Sequence, residues 1–283
     1  MSEDKHEKKY IDLHVHSTAS DGTLTPSEVT EYAKEKGLYA FALTDHDTVD
    51  GIEEAVRAAG DSIMVIPGIE ISADFNGTDI HILGLNIDYD NEEFISKINE
   101  CKRLRTERNK KMIQKMNDLG FPITEEIVNE RYGKDSSITR AHFARYLLDE
   151  GFVKTKEEAF EKYLNKGGPC YVSRVQMTPK CAIEIILKAG GHPVLAHPLL
   201  YKLDKESVIS LIDYLRGLGL EGLEAIYSRN TGEDDEFLAG IAKSFGLYVT
   251  GGSDFHGSNK PDIDLGVGTG NLAISKELLS NIL

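Results

Sequence analysis

No apolar run in these 283 residues approaches the roughly 20 that a helix needs to cross a bilayer. The opening stretch, Met1 to Lys9, is polar and mixed in charge, with no apolar segment of signal-peptide length. The expected location is the cytoplasm, with no membrane partner. Cysteine is scarce, odd in number and unpaired in spacing: Cys101, Cys170 and Cys181 exclude a zinc knuckle or a redox motif and read as reduced thiols. Excess positive charge is missing too. Against 32 Lys and Arg stand 47 Asp and Glu, a net charge of −15, which excludes a broad phosphate-tracking footprint on duplex DNA. An anionic substrate must therefore be captured locally, and bound cations reverse the local sign.

What is present is apolar residue enough, 40% of the chain, for one large core or one core with a small satellite. Short apolar runs at Tyr10 to Val15, Ala40 to Leu43, Met64 to Ile66 and Ile80 to Ile87 alternate with helical patterns, the signature of an α/β fold. Thr25 followed by Pro26 opens the first helix, which ends at Gly37, and a shorter helix spans Gly51 to Ala59. After Asp90 the next roughly eighty residues read as helix, with Leu104, Met112, Met116 and Leu119 at helical spacing. Alternation resumes near Thr178: helices at Pro179 to Ala189, Glu206 to Leu218 and Glu233 to Phe245, strands at Pro193 to Ala196, Leu220 to Tyr227 and Leu247 to Thr250. About seven strands with one insert point to a barrel rather than an open sheet. The expected organisation is a barrel from 1–90 and 176–283 carrying a helical insertion at 91–175.

His14 and His16 lie two apart on a predicted strand, so they share a face and can grip one ion. The pattern recurs. Asp21 follows the first strand, His46 lies just past the second, Glu70 just past the third, and His81 on the fourth. His197 closes the run PVLA, and Asp254 and His256 follow LYVTGGS. One histidine beside an apolar run is more often a hydrogen-bonded core residue than a ligand. Here six of the nine share one topological position, near strand ends where barrel active sites are built, leaving only His6, His142 and His192 outside. Nitrogen and oxygen donors without thiolate suit manganese, iron or zinc better than calcium or copper(I). Asp45 and Asp47 flank His46 either as acceptors that orient imidazoles or as solvated loop carboxylates. Gly22, Gly68, Gly84, Gly252 and Gly257 mark tight turns or close backbone approach.

The segments IDLHVHSTASDG, FALTDHDT, IPGIEIS, IHILGL, LAHP and GSDFHG together resemble the polymerase and histidinol phosphatase (PHP) family of metal-dependent phosphoesterases. The resemblance implies a distorted (β/α)7 barrel with a helical cap and three divalent ions, manganese first, Fe2+ or Zn2+ as alternatives. By carry-over, His14, His16, Glu70 and Asp254 hold one ion; Glu70, His81 and His197 a second; Asp21, His46 and His256 a third. Three ions at +2 against three carboxylates leave about +3, the sign a phosphate ester wants. The implied reaction is attack on phosphorus by a metal-activated hydroxide.

Within the insert, SITRAHFARYLL resembles a segment of the family branch of nucleoside 3',5'-bisphosphate phosphatases and 5'-3' exoribonucleases. That resemblance casts Arg140 and His142 as catalytic and substrate-binding groups: a guanidinium for bidentate phosphate contact and an imidazole to protonate a leaving alkoxide. Lys166 and Arg174 are further candidates for anion contact, and Tyr163 and Tyr171 either stack on a base or pack helices. The implied substrate is a small nucleotide or a short oligoribonucleotide end. Three rivals remain: a phosphomonoesterase of the histidinol phosphatase type; an amidohydrolase, against which Glu70 at the bridging position argues; and a silent scaffold, in which ligand positions should have been lost, whereas all nine are filled.

Overall fold

The computed structural model describes residues 9–132, 138–173 and 177–283. Seven strands form one sheet in chain order: β1 (Ile11–Val15), β2 (Ala40–Leu43), β3 (Met64–Phe75), β4 (Thr78–Leu85), β5 (His192–Leu195), β6 (Gly222–Tyr227) and β7 (Tyr248–Gly252). The end of β1 meets the loop after β7, where the His16 N–H donates to the Phe255 carbonyl at 3.0 Å and the Asp254 N–H to the His14 carbonyl at 2.8 Å. The sheet thus nearly closes into a barrel. Helices α1 (Pro26–Glu35) and α2 (Ile52–Ala59) follow β1 and β2. Between β4 and β5 come α3 (Glu92–Asp118), α4 (Glu125–Tyr132), α5 (Arg140–Asp149) and α6 (Lys156–Ala159), then α7 (Pro179–Lys188), α8 (Lys205–Gly217) and α9 (Gly232–Phe245) complete the outer layer.

Local chemistry explains the boundaries. At α1, Thr25 accepts from the Glu28 N–H, Glu28 reaches back to the Thr25 N–H, and Pro26 supplies a preset φ. The third strand departs from expectation. It continues past Ile66 to Phe75 and turns at Asn76 and Gly77, with φ of 52° and 86°. Asn-Gly is the type I′ hairpin pair, and β4 accordingly returns antiparallel, Phe75 opposite Thr78. It also runs antiparallel to β5, while the other described pairs are parallel.

That reversal corrects two expected positions. Glu70 lies inside β3 rather than past it, and His81 sits in the first half of β4. Because β4 runs backwards, its N-terminal half reaches the barrel end where the parallel strands finish.

One buried cluster draws on Ile11, Leu13, Ala40, Ile66, Leu83 and Val194 from five strands together with Leu272 and Ile282 of the C-terminal segment. A second packs Ile69, Ile71 and Ile82 against Ile183, Ile212 and Leu238 of the outer helices. The segment between β4 and β5 has a core of its own, with Met112, Met116, Phe143 and Leu147 at its centre. Its first helix, α3, opens at Asn91, which caps the Phe94 N–H, and runs for 27 residues, about 40 Å at 1.5 Å per residue. No described helix is long and apolar enough to cross a membrane.

Candidate metal centre

The nine donor residues converge. His14 lies near the end of β1 and His16 just past it, and their ring centroids stand 5.1 Å apart. The pairing register of β1 slips between Asp12 and Val15, and such an irregularity re-aims side chains at a barrel rim. Asp254, at φ 58°, and His197, at φ 28°, hold left-handed backbone that non-glycine residues adopt only when their surroundings enforce it.

Glu70 is the hub. Its Oε2 lies 3.3 Å from His14 Nε2, 3.2 Å from His16 Nε2 and 2.9 Å from His46 Nδ1, while its Oε1 lies 2.7 Å from His81 Nδ1 and 3.0 Å from His197 Nε2. Asp254 Oδ1 approaches His16 Nε2 at 3.4 Å and His14 Nε2 at 3.7 Å. Asp21 Oδ1 is 3.2 Å from His256 Nε2 and 3.8 Å from His46 Nε2. Three groups bring their donor atoms within 4.8 Å of one another: His16, Asp21, His46 and His256; His14, His16 and Glu70; His46, Glu70 and His81. His16 and His46 each belong to two groups, so the sets implied by family resemblance interlock more closely than three separate sites.

The electrostatics fit a cation centre. Burial alone would push the Glu70 carboxyl up, but His46, His81 and His14 outweigh it and hold it well below the usual carboxylate range. Asp21, against burial, is held low by His46 and His256, and Asp254 by Lys260 and His14. His14 is raised well above the ordinary imidazole value because Glu224, Glu70 and Asp254 overcome its burial. His256 goes the other way, to about 4, through burial and the nearby Lys260 and His16. Yet His14 Nε2, both nitrogens of His16, His46 Nδ1, His197 Nδ1 and Glu70 Oε2 are buried without a hydrogen-bond partner among the described residues. Each such atom costs about 1–3 kcal/mol when left unsatisfied. Shared cations at this point would satisfy inward-facing lone pairs that the protein itself leaves open, so the residues fit the ions.

Several supports were invisible in the sequence. Glu224, buried in β6, contacts His14 Nδ1 at 2.9 Å and accepts the His197 N–H at 2.7 Å. Asp12 ties β1 to the far end of the chain by accepting from Ser253 and from the Gly266 N–H at 2.9 Å. Tyr227 donates to Asp254 Oδ2 at 2.7 Å, as does Lys260 at 2.5 Å. The aspartates flanking His46 are both buried, which corrects the reading of them as solvated loop carboxylates. Asp45 accepts from the Ser17 N–H, Ser17 Oγ and Ser20 Oγ, holding the loop that carries Asp21. Asp47 accepts from the Ser72 N–H and pairs with Arg105. Among the glycines, Gly252 has the clearest reason: a Cβ there would overlap His14.

Only part of this cluster faces open space. His14, His16 and Glu70 are fully buried, whereas Asp21, His46 and His81 line a cavity of about 170 Å³ with Arg105, Arg108 and Arg140 of α3 and α5. It shares the walls of Asp79, Arg108 and Arg140 with a larger cavity of about 670 Å³, lined also by Lys166, Tyr171 and Asn165. Arg140 pairs with Asp79 at 3.0 Å. His142 is buried and does not line the smaller cavity; its Nδ1 accepts the Thr139 N–H at 3.0 Å and so closes the capping box of α5. Tyr163 packs edge-on against Phe121, whereas Tyr171 is at the larger cavity. Arg174 lies outside the described residues. Arg105 and Arg108 were not singled out from the sequence, where nothing separates them from the other charges of α3.

A model of the PHP domain matches residues 12–192, well over half of the chain. The chain belongs to the PHP family. His197, Asp254 and His256 lie beyond that match. This PHP chain is 39% identical over 250 residues to a 5'-3' exoribonuclease of Haemophilus influenzae, covering 88% of the chain and 90% of the relative. It is 35% identical to a 3',5'-nucleoside bisphosphate phosphatase of Chromobacterium violaceum over 90% of each. Among solved structures, one described as a metal-dependent phosphoesterase from Bifidobacterium adolescentis superposes with a TM-score of 0.84 at 32% identity, covering 96% of this chain and 95% of that one. Another, described as an amidohydrolase from Chromobacterium violaceum with bound sulfate and no metal, gives 0.85 at 33% identity over 97% of both chains.

Proposed function

We propose that this PHP chain is a divalent-metal phosphoesterase that removes phosphate from small nucleotides, either a nucleoside 3',5'-bisphosphate or the end of a short oligoribonucleotide. The observation that carries the reading is a cluster of buried donors with unsatisfied lone pairs, opening into a cavity walled by three arginines in a chain of net charge −15. The exoribonuclease and the bisphosphate phosphatase among its relatives support the substrate class.

In this reading His14, His16, Glu70 and Asp254 hold one ion, Glu70, His81 and His197 another, and Asp21, His46 and His256 a third. Manganese is the first choice, with Fe2+ or Zn2+ as alternatives, and the bound ions would supply Lewis acidity toward phosphoryl oxygens and a hydroxide nucleophile at neutral pH. Residues 91–175 act as a cap. Arg105, Arg108 and Arg140 project from it over Asp21, His46 and His81, where guanidinium groups clamp phosphate oxygens bidentately. Lys166 and Tyr171 stand where the nucleoside and a second phosphate extend into the larger cavity. His142 holds the start of α5 and thereby the backbone of Arg140.

The test is a metal-stripped chain reloaded with Mn2+, Fe2+ or Zn2+ and assayed against a nucleoside 3',5'-bisphosphate, a 5'-phosphorylated tetraribonucleotide and histidinol phosphate. Metal-dependent release from the first two is expected. Preference for histidinol phosphate would move the chain to the other branch, and no release from any would support the scaffold reading.

A further inference from the structure

Glu224 is a carboxylate in the middle of β6, among Gly222, Leu223, Ala225, Ile226 and Tyr227, and it is fully buried. A charge-bearing side chain in such a place survives only when its oxygens are satisfied. Both are. Oε1 lies 2.9 Å from His14 Nδ1, and Oε2 accepts the His197 N–H at 2.7 Å. We propose that Glu224 is a positioning residue that builds two parts of the metal centre at once, fixing the tautomer of His14 and the backbone turn of His197. The inference rests on the metal reading above and adds a residue outside the nine donors.

His14 has one nitrogen for each task. Its Nε2 faces Glu70 and Asp254 and has no hydrogen-bond partner among the described residues, so it is the atom available to a cation. A coordinating Nε2 must be unprotonated, which places the proton on Nδ1, and that proton needs the acceptor that Glu224 Oε1 provides. The second oxygen acts on backbone. His197 has φ 28° and ψ 56°, a conformation that costs of order 1–3 kcal/mol and persists only when neighbours over-determine it. Its N–H bond to Oε2 is one constraint, and the Leu200 N–H to His197 carbonyl bond at 2.9 Å is another. Together they aim the imidazole so that Nε2 meets Glu70.

The surrounding sheet is shaped for this contact. The pairing register of β6 slips between Glu224 and Ile226, as that of β1 does beside His14. On β7 between them stands Gly252, whose Cβ would overlap His14 and come within 3.0 Å of Glu224 Oε1. Two register slips and a glycine therefore converge on one hydrogen bond.

Glu224→Gln keeps the shape but replaces one acceptor by an NH2 group, so it cannot accept from both the His14 ring and the His197 amide. Glu224→Asp keeps two acceptors on a shorter arm. The experiment measures Zn2+ affinity by chelator competition and ring-nitrogen protonation by long-range 1H–15N correlation on Zn2+-loaded, histidine-labelled chain. The parent is expected to show His14 coordinated through Nε2 with Nδ1 protonated. Glu224→Gln should weaken Zn2+ binding by roughly 10- to 100-fold. Signals of His14 and His197 should change while those of His46 and His256 hold, and Glu224→Asp should recover part of the affinity. Parental affinity in Glu224→Gln, coordination of parental His14 through Nδ1, equal disturbance of His46 and His256, or an aspartate variant weaker than the glutamine one would each overturn the proposal. A parent that takes up no Zn2+ would overturn the metal reading along with it.

Discussion

The barrel rim and the helical segment above it face one cavity with opposite chemistry. The rim offers imidazoles and carboxylates on short side chains, set by strand ends and by backbone in strained conformations. The cap offers arginines, long side chains on helices, two of them steadied by an acid: Arg105 by Asp47 and Arg140 by Asp79. Donors that must share ions tolerate errors of only a few tenths of an ångström and so are built on rigid elements. Groups that meet a diffusing anion can adjust, and helices suffice for them. In an acidic chain, both the ions and the cap bring positive charge to a place the overall composition would make repulsive.

The largest break in that comparison comes from the rim. Replacing His14 and His16 together by alanine is expected to lower nucleotide hydrolysis by roughly a thousandfold or more and to remove metal, because nucleophile and charge stabilisation vanish together. Phosphate release and metal per chain by elemental analysis measure it. Hydrolysis at the parental rate would sink the catalytic reading. The cap core shares no residue with this cluster, so circular dichroism should still report folded helix.

The converse change strikes the cap alone. Leu147 is fully buried in a core of cap residues, and Leu147→Ala should destabilise that unit by about 2–5 kcal/mol through the cavity it leaves. Zn2+ affinity should stay within about twofold, since additivity holds for distant sites without shared partners. A matching fall in metal affinity would mean that the two regions form a single cooperative unit.

These two regions also differed in how far the sequence exposed them. The rim was legible because strand geometry has period two, so H-x-H declares a shared face, and because ligand-type residues recur beside apolar runs. The reversal of β4 was not, although Asn76-Gly77 carried the hairpin signal: the apolar stretch from Met64 was read only to Ile66, and Glu70 was assigned to a loop. Glu224 and Asp12 stayed hidden for another reason. Their partners lie 210 and 241 positions away, and nothing local distinguishes a buried strand carboxylate from a surface one. In the cap, Arg105 and Arg108 are two of many charges along α3, and only the fold reveals which ones turn inward.

Arg140→Ala probes recognition without touching the rim. The Arg140–Asp79 pair is about one-third exposed, so its loss should change stability by less than about 1 kcal/mol. Loss of a guanidinium from the cavity wall should raise KM for a nucleoside 3',5'-bisphosphate by roughly tenfold or more, about 1.4 kcal/mol, with a smaller effect on kcat. Steady-state kinetics at saturating metal separates the two. A change confined to kcat would place Arg140 on the reacting phosphate alone rather than on the bound substrate as a whole.

The smallest expected effect falls on His142, and it decides whether the cap contributes chemistry or only shape. Its Nδ1 accepts the Thr139 N–H, and burial lowers its pKa, so the ring is neutral near pH 7 with the proton on Nε2. His142→Ala should lose the capping interaction, about 1 kcal/mol of stability, and loosen Arg140 at the first position of α5. His142→Gln restores an acceptor at the capping-box position and should recover both melting temperature and KM, leaving kcat within about tenfold of the parent. A glutamine variant that melts like the parent but turns over a hundredfold more slowly would show that Nε2–H protonates the leaving oxygen. The cap would then supply an acid to the reaction, and the division between a reactive rim and a recognising cap would no longer hold.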